Sequence, residues 1–447
     1  MAGARKKTLT VLFGLLAGAV LLCGNSVQAR QVKLDVEMSE PVMLAGKTQK
    51  AVIKIGLTGM PIERVEKRTP VNVSIVLDRS GSMSGHKLRK AKEAAKMAIG
   101  RLSDRDIVSV VAYNHNVDVL VPATRIRDRY EIYRRIDRLS ASGNTALFAG
   151  VSKGSYEVRK FMDDNYMNRV ILLSDGLANV GPSSTGELAD LGYSLGKEGV
   201  SVTTIGLGGG YNEDLMAELA RSSDGNHAFA ETADDLATIF NYEFGDLLSV
   251  VARNVIIEIK CGSGIRPIRV IGRDADIHGR NVFARLIQVY ADQEKFIMLE
   301  VEVPASTNGS RREIASVSIK YNDTISRSTE LVHGRADVRF SDSWDTVQRN
   351  QNKDVIVTNI ELLSNESTRT AIRLRDQGRT REAQKVLQKS ADDLEEKARK
   401  YGSSKLKKRA SRKRNAAGAV AAPASEWKIN RKKMRKEEYE LDQQQAW

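Results

Sequence analysis

The sequence predicts an α/β unit, built on a doubly wound and mostly parallel sheet, inserted in a β-sandwich-like domain and followed by a helical segment. Three observations carry this. Between residues 70 and 250, short apolar strands alternate with stretches whose apolar residues recur at helical spacing. On either side of that region the pattern changes to the period-2 alternation of strands with one wet face. From about residue 345 the helical period returns.

The first 29 residues form a processing signal. Arg5, Lys6 and Lys7 make a positive start, Thr8 to Leu22 an apolar run, and Val27-Gln28-Ala29 a small-x-small cleavage pattern, so a mature chain is expected to begin near Arg30. Leu22 stands where a lipid-attachment signal at Cys23 carries a small residue, and the apolar run is short of the roughly 20 residues that span a bilayer. Export to the periplasm, cell surface or medium is the expectation. Once Cys23 is removed, Cys261 stands alone, so no intramolecular disulfide can form and Cys261 is expected as a buried small hydrophobe.

Residues 30–69 hold the first part of the β domain, in which VKLDVEM and AVIKIGL alternate around a turn at Gly46. In residues 70–250, VNVSIVL, DIVSVVAY, RVILLS and VSVTTIGL are strands, and HKLRKAKEAAKMAIGRL, LFAGVSKGSYEVRKFM, GELADLGYSLGKE and NEDLMAELARSS are helices. Residues 251–344 return to strands such as NVIIEIKC, RPIRVIG, KFIMLEVEVP and EIASVSIKY. Neither β segment makes a sandwich alone, so the two are expected to pair and the α/β unit to be an insertion. Residues 345–402 form a helical hairpin turning at Gly378, with Ala371, Leu374, Ala383, Val386 and Leu387 as packing positions.

The net charge of +14 over 447 residues belongs to the C-terminus. Lys397 to Arg414 holds ten basic residues without an acid, and Glu426 to Lys436 six more with one, which leaves the rest of the chain nearly neutral. With the small-residue stretch Asn415 to Ser425 between these runs, residues 403–447 are expected to be a disordered basic tail. Such a tail in an exported protein suits an anionic envelope surface. No aromatic residue interrupts Lys405 to Arg414, so it offers no base-stacking platform and no nucleic-acid partner is expected.

The chemistry lies at the carboxyl ends of the central strands, where open α/β sheets bind ligands. VNVSIVLDRSGSM places Asp78, Ser80 and Ser82 in the first strand-to-helix loop. SASGNTAL adds Thr145 and VILLSDG adds Asp175. Two carboxylates and three hydroxyls, with no Cys or His, make a hard-cation site suited to Mg²⁺, with Mn²⁺ able to substitute. So few anionic ligands leave one position for a carboxylate from a partner. The five histidines show no zinc spacing, GLGGG at Gly206 to Gly210 lacks both GxGxxG and the P-loop Lys-Ser/Thr, and Met83 occupies the serine position of a nucleophile elbow. His86 is expected as a surface residue at a helix start.

The Asp78-Arg79-Ser80-Gly81-Ser82 run, with Thr145 and Asp175, resembles the DxSxS…T…D metal-ion-dependent adhesion site of von Willebrand factor type A domains. The resemblance covers roughly Val71 to Val250 and includes the IVLDRSGSM, VILLSDG and TIGLGGGYNE phrases. It implies a Rossmann-like sheet in which Ser80, Ser82 and Thr145 approach the metal directly while Asp78 and Asp175 act largely through water. The flanking segments are similar to those of secreted bacterial type A and calcium-activated-chloride-channel-like proteins. The function expected is metal-dependent capture of an acidic residue of a protein partner, for adhesion. An envelope chaperone or assembly factor is the alternative. A metal-dependent hydrolase is disfavoured because no general base other than the site carboxylates is visible.

Overall fold

The computed structural model describes residues 31–62, 68–163 and 166–445, so the expected export signal lies outside the described residues. Strand β1 (Val32–Met38), β2 (Val42–Leu44) and β3 (Gln49–Gly59) lead into β4 (Val71–Asp78), whose eight residues are all buried. That burial follows from composition: both faces of VNVSIVLD are apolar or carry small polar groups, which is the signature of a strand covered on both sides. Val73, Ile75 and Leu77 face one core and Val76 the other.

β4 is central in a six-stranded sheet with β5 (Ile107–Tyr113), β6 (Val117–Arg125), β7 (Met167–Ser174), β8 (Val200–Leu207) and β9 (His227–Ala230). The order is β6-β5-β4-β7-β8-β9, parallel throughout except for β6 against β5. On one face lie α1 (His86–Gly100), α2 (Arg129–Asp137) and α6 (Leu236–Leu248); on the other lie α3 (Leu147–Arg159), α4 (Thr185–Lys197) and α5 (Glu213–Ser222). The doubly wound expectation is met. β6 and α2 fall between the stretches picked from the sequence, because VDVLVPATR and RYEIYRRID are half-polar elements at the sheet's edge.

The chain then returns to strands: β10 (Val250–Cys261), β11 (Arg266–Ile271), β12 (Asp276–His278), β13 (Asn281–Tyr290), β14 (Glu294–Val303), β15 (Arg311–Asp323) and β16 (Thr329–Ser341). They share two sheets with the N-terminal strands, in the orders β1-β3-β14-β11 and β12-β13-β10-β15-β16-β2, around one apolar core that buries Cys261. The α/β unit is therefore an insertion between β3 and β10. Thr324 clasps its two ends: its carbonyl accepts from Thr69 Oγ1 (3.2 Å), while its amide and hydroxyl donate to the carbonyls of Val251 (3.0 Å) and Val250 (2.9 Å).

Helices α7 (Trp344–Arg349), α8 (Lys353–Asp376) and α9 (Thr380–Tyr401) follow, with Gly378 at φ +79° in the hairpin turn and Ala371, Leu374, Ala383 and Leu387 buried. The expectation of a disordered tail from residue 403 is corrected here. Residues 404–419 form α10 (Ser404–Ala419) and residues 424–442 form α11 (Ala424–Asp442). The charge run conceals an inward stripe, Leu406, Ala410 and Ala417 on α10, then Trp427, Met434 and Tyr439 on α11. Several of the cations are themselves buried against partners. Lys413 Nζ donates to the Ser364 carbonyl (2.6 Å), and Lys432 Nζ to Glu213 (2.5 Å). Helix α11 lies along β9, with the Tyr439 hydroxyl donating to the Gly225 carbonyl (2.7 Å), and so covers an edge strand that would otherwise offer unpaired backbone.

Among the described residues no helix is long and apolar enough to cross a membrane.

Candidate metal centre at the strand mouths

Asp78 is the last residue of β4 and has no exposed surface. One carboxylate oxygen accepts the Ser80 amide (2.8 Å) and the other the Ser174 hydroxyl (2.6 Å), with Tyr113 OH at 3.5 Å. Residues Gly81–Met83 make a single 3-10 turn anchored by the fully buried Met83, which fixes where Ser80 and Ser82 point. The Ser80 and Ser82 hydroxyls are 3.1 Å apart, and Ser82 Oγ donates to Asp175 Oδ1 at 2.6 Å.

Thr145 reaches the same place from the loop before α3. Its amide donates to Asn179 Oδ1 (2.8 Å), its carbonyl accepts from the Asn179 amide (3.1 Å), and Gly81 N donates to Gly143 O (2.9 Å), tying the two loops together. Asp175 follows β7 directly, is 1 % exposed, and takes the Lys87 ammonium on Oδ2 at 2.5 Å. The structure thus brings all five residues singled out from the sequence to one spot.

Gly176 marks the centre of that spot. A Cβ built there would stand 3.2 Å from Thr145 Oγ1, 3.5 Å from Ser82 Oγ and 4.0 Å from Ser80 Oγ. Three hydroxyls therefore converge on a space kept open by the missing side chain. Burial raises the Asp78 pKa, with the nearby Asp175 charge adding to it and the hydroxyl and amide donors opposing it. Two buried carboxylates with a single half-exposed ammonium between them and solvent form an oxygen-only donor set that fits a hard dication. Among the described residues no group of three or more His, Cys, Asp or Glu side chains offers a competing site.

Four supporting residues were not found from the sequence. Ser174 precedes Asp175 in LLSDG and Tyr113 ends β5 level with Asp78, so strand register could have identified both. Lys87 is on the first turn of α1, immediately after the serine loop. Asn179 closes through a loop contact that no local pattern encodes. His86 begins α1, half exposed, with Arg89 (2.7 Å) and Asp234 (3.5 Å) as partners, a surface helix-start residue as expected. The GLGGG stretch ends β8 and turns into α5, and a Cβ on Gly210 would stand 2.6 Å from the Asp175 carbonyl.

Residues 72–241 match the von Willebrand factor type A domain family, and that segment is a type A domain. It is similar to the uncharacterized protein sll0103 of Synechocystis, 26 % identical over 313 residues that make up 68 % of this chain and 73 % of the relative. It is also similar to the E3 ubiquitin-protein ligase WAV3 of Arabidopsis thaliana, 26 % identical over 71 % of this chain but only 40 % of that protein's length. Among solved structures, a von Willebrand factor type A protein from Catenulispora acidiphila superposes with a TM-score of 0.69 at 17 % identity, covering 90 % of this chain and 93 % of that one, which shows a shared fold beyond the type A unit. Type A domains are generally protein-interaction modules that hold a divalent metal at this motif.

Proposed function

We propose that this protein is an exported, non-enzymatic binding module that uses Mg²⁺, replaceable by Mn²⁺, held at Asp78, Ser80, Ser82, Thr145 and Asp175 to capture an acidic residue of a protein partner. The observation that carries it is the convergence of three hydroxyls and two buried carboxylates on the open space at Gly176. A bound dication would supply one coordination position for a partner's carboxylate. The chain's own residues do the rest. Ser174 and the Ser80 amide fix the Asp78 carboxylate, Asn179 fixes the Thr145 backbone, and Met83 pins the serine turn in the core.

Export is supported by the sequence of residues 1–29 alone. An anionic envelope surface is a weaker partner than the sequence suggested, because Arg409, Lys413 and Lys432 are buried; exposed cations such as Lys405, Lys407, Lys408 and Arg412 remain for it. Calorimetric titration of the chelator-stripped mature chain with Mg²⁺ and Mn²⁺ tests the site. Saturable binding that Asp78→Ala and Thr145→Ala abolish supports it, and a folded wild type that takes neither ion refutes it. N-terminal sequencing of the protein recovered from the envelope tests export, with Arg30 or its neighbour as the expected first residue.

A further inference from the structure

The C-terminal helix α11 lies outside the matched type A segment, yet it touches the loop that backs the candidate metal centre. Loop 207–212 runs from β8 to α5 and is pressed from two sides. On the inner side Gly210 abuts the Asp175 carbonyl, at a distance where a Cβ would stand only 2.6 Å away. The outer side carries α11: a Cβ on Gly209 would meet Ile429 Cδ1 at 3.1 Å, and the Lys432 ammonium sits 4.8 Å from the centre of the Tyr211 ring. That ring covers Gly206, where any Cβ would fall within 2.1 Å of it. Two cations of α11 then clamp the first turn of α5. Arg431 bridges Glu213 (2.5 Å), Asp214 (2.6 Å) and, back on α8, Asp376 (2.9 Å), while Lys432 takes the second oxygen of Glu213 at 2.5 Å.

From this chain of contacts we infer that Ile429, Arg431 and Lys432 of α11 are positioning residues for the metal centre, so that seating of α11 and metal binding at Asp175 stabilise one another. The inference rests on the metal reading proposed above. Its physical basis is that loop 207–212 has no slack: glycine at positions 206 and 210 lets an aromatic ring and a carbonyl approach to distances that no side chain tolerates, so displacement of the outer wall moves the inner one. Coupling between two sites is reciprocal by thermodynamic necessity. A binding partner that pulled α11 away would weaken metal capture, and metal capture would hold the C-terminal helices against the type A unit.

The test is Mn²⁺ titration of the full chain carrying Ile429→Ser with Arg431→Ala, alongside Arg431→Lys and Ile259→Ala. Ile259 is buried in the core of the β domain, a cluster that includes no residue of α11 or of the loop, so its truncation reports simple loss of stability. The double variant is expected to bind Mn²⁺ about five-fold or more weakly, Arg431→Lys to recover part of that, and Ile259→Ala to keep wild-type affinity despite a lower melting temperature. Hydrogen exchange supplies the reverse readout: saturating Mn²⁺ slows exchange in residues 425–442 of wild type and has no effect in Thr145→Ala. Unchanged affinity in the double variant, or equal loss in Ile259→Ala, overturns the coupling while leaving the metal site intact. A wild type that binds no Mn²⁺ overturns the metal reading and the coupling with it.

Discussion

Replacing Gly176 by alanine separates the metal centre from everything that merely holds the domain together. The φ of Gly176 is not positive, so an alanine is unstrained there, and the added methyl meets no backbone, only the Thr145, Ser82 and Ser80 hydroxyls at 3.2, 3.5 and 4.0 Å. The folding cost is small. Gly→Ala at a compatible position gains about 0.4–1 kcal/mol through the unfolded chain, which offsets the tight contact to Thr145, so the melting temperature should stay within about 4 °C of wild type. The binding cost is large, because the methyl occupies the space on which the hydroxyls converge. Denying an ion even one hydroxyl costs on the scale of a hydrogen bond to a charged group, about 1.5–3 kcal/mol, or about 10- to 150-fold in affinity. Calorimetry with Mn²⁺ on Gly176→Ala and wild type, paired with thermal melts of both in chelator, reads the two quantities apart. Wild-type affinity in a normally folded Gly176→Ala would refute the assignment of this space to a cation.

Lys87→Met is expected to bind Mn²⁺ about two- to five-fold more tightly, since the ammonium on Asp175 is a resident competitor worth about as much as an exposed ion pair; weaker or unchanged binding in the same titration contradicts that role. His227 is fully buried, and burial with the Lys436, Lys432 and Arg221 charges drops its pKa to about 3. The folded value lies below the unfolded one, so its contribution is complete above about pH 6.5 and is lost as pH falls towards 3. Urea midpoints should therefore decline by the equivalent of about 2 kcal/mol from pH 7 to 5, and less in His227→Asn. A parallel decline in wild type and variant removes His227 as the cause. Leu387→Ala should lower stability by about 2–5 kcal/mol, read in the same denaturation, because its side chain is wholly enclosed by the C-terminal helices; a midpoint like wild type would mean that these helices unfold independently of the transition being measured. Cys261, buried and with its thiol pushed up to about 11, should not react with a thiol reagent at pH 8 until the β domain unfolds.

How far the sequence could be read depended on whether one element's own residues carried the information. The five site residues were legible because each is fixed by a short phrase ending a buried strand or opening a helix, and Asp78, Thr145 and Asp175 meet as soon as the sheet order is known. Lys87 and Asn179 were not, since each acts through a contact across loops 88 or 34 residues apart. The C-terminal helices were hidden for a different reason. Net charge suggested a solvated tail, whereas Arg431 and Lys432 are cations whose counter-ions, Glu213 and Asp214, stand at the start of a helix more than two hundred residues earlier. Composition cannot report a charge that is neutralised in space. Strands β13 and β16 were passed over because polar residues, the exposed Arg285 and Arg335 and the buried Gln288, break up their apolar runs.

The clasp at Thr324 has a mechanical meaning. The type A unit is entered at β4 and left at β10, and both connections are held by one residue at the end of the sheet opposite Asp78. A load applied at the metal edge therefore leaves through two covalent strands in parallel, each bearing part of the tension. A unit tethered at one end would swivel and peel from its neighbour under such a pull; this one is drawn straight along its strands, in the direction that must shear several backbone ladders at once before any of them opens.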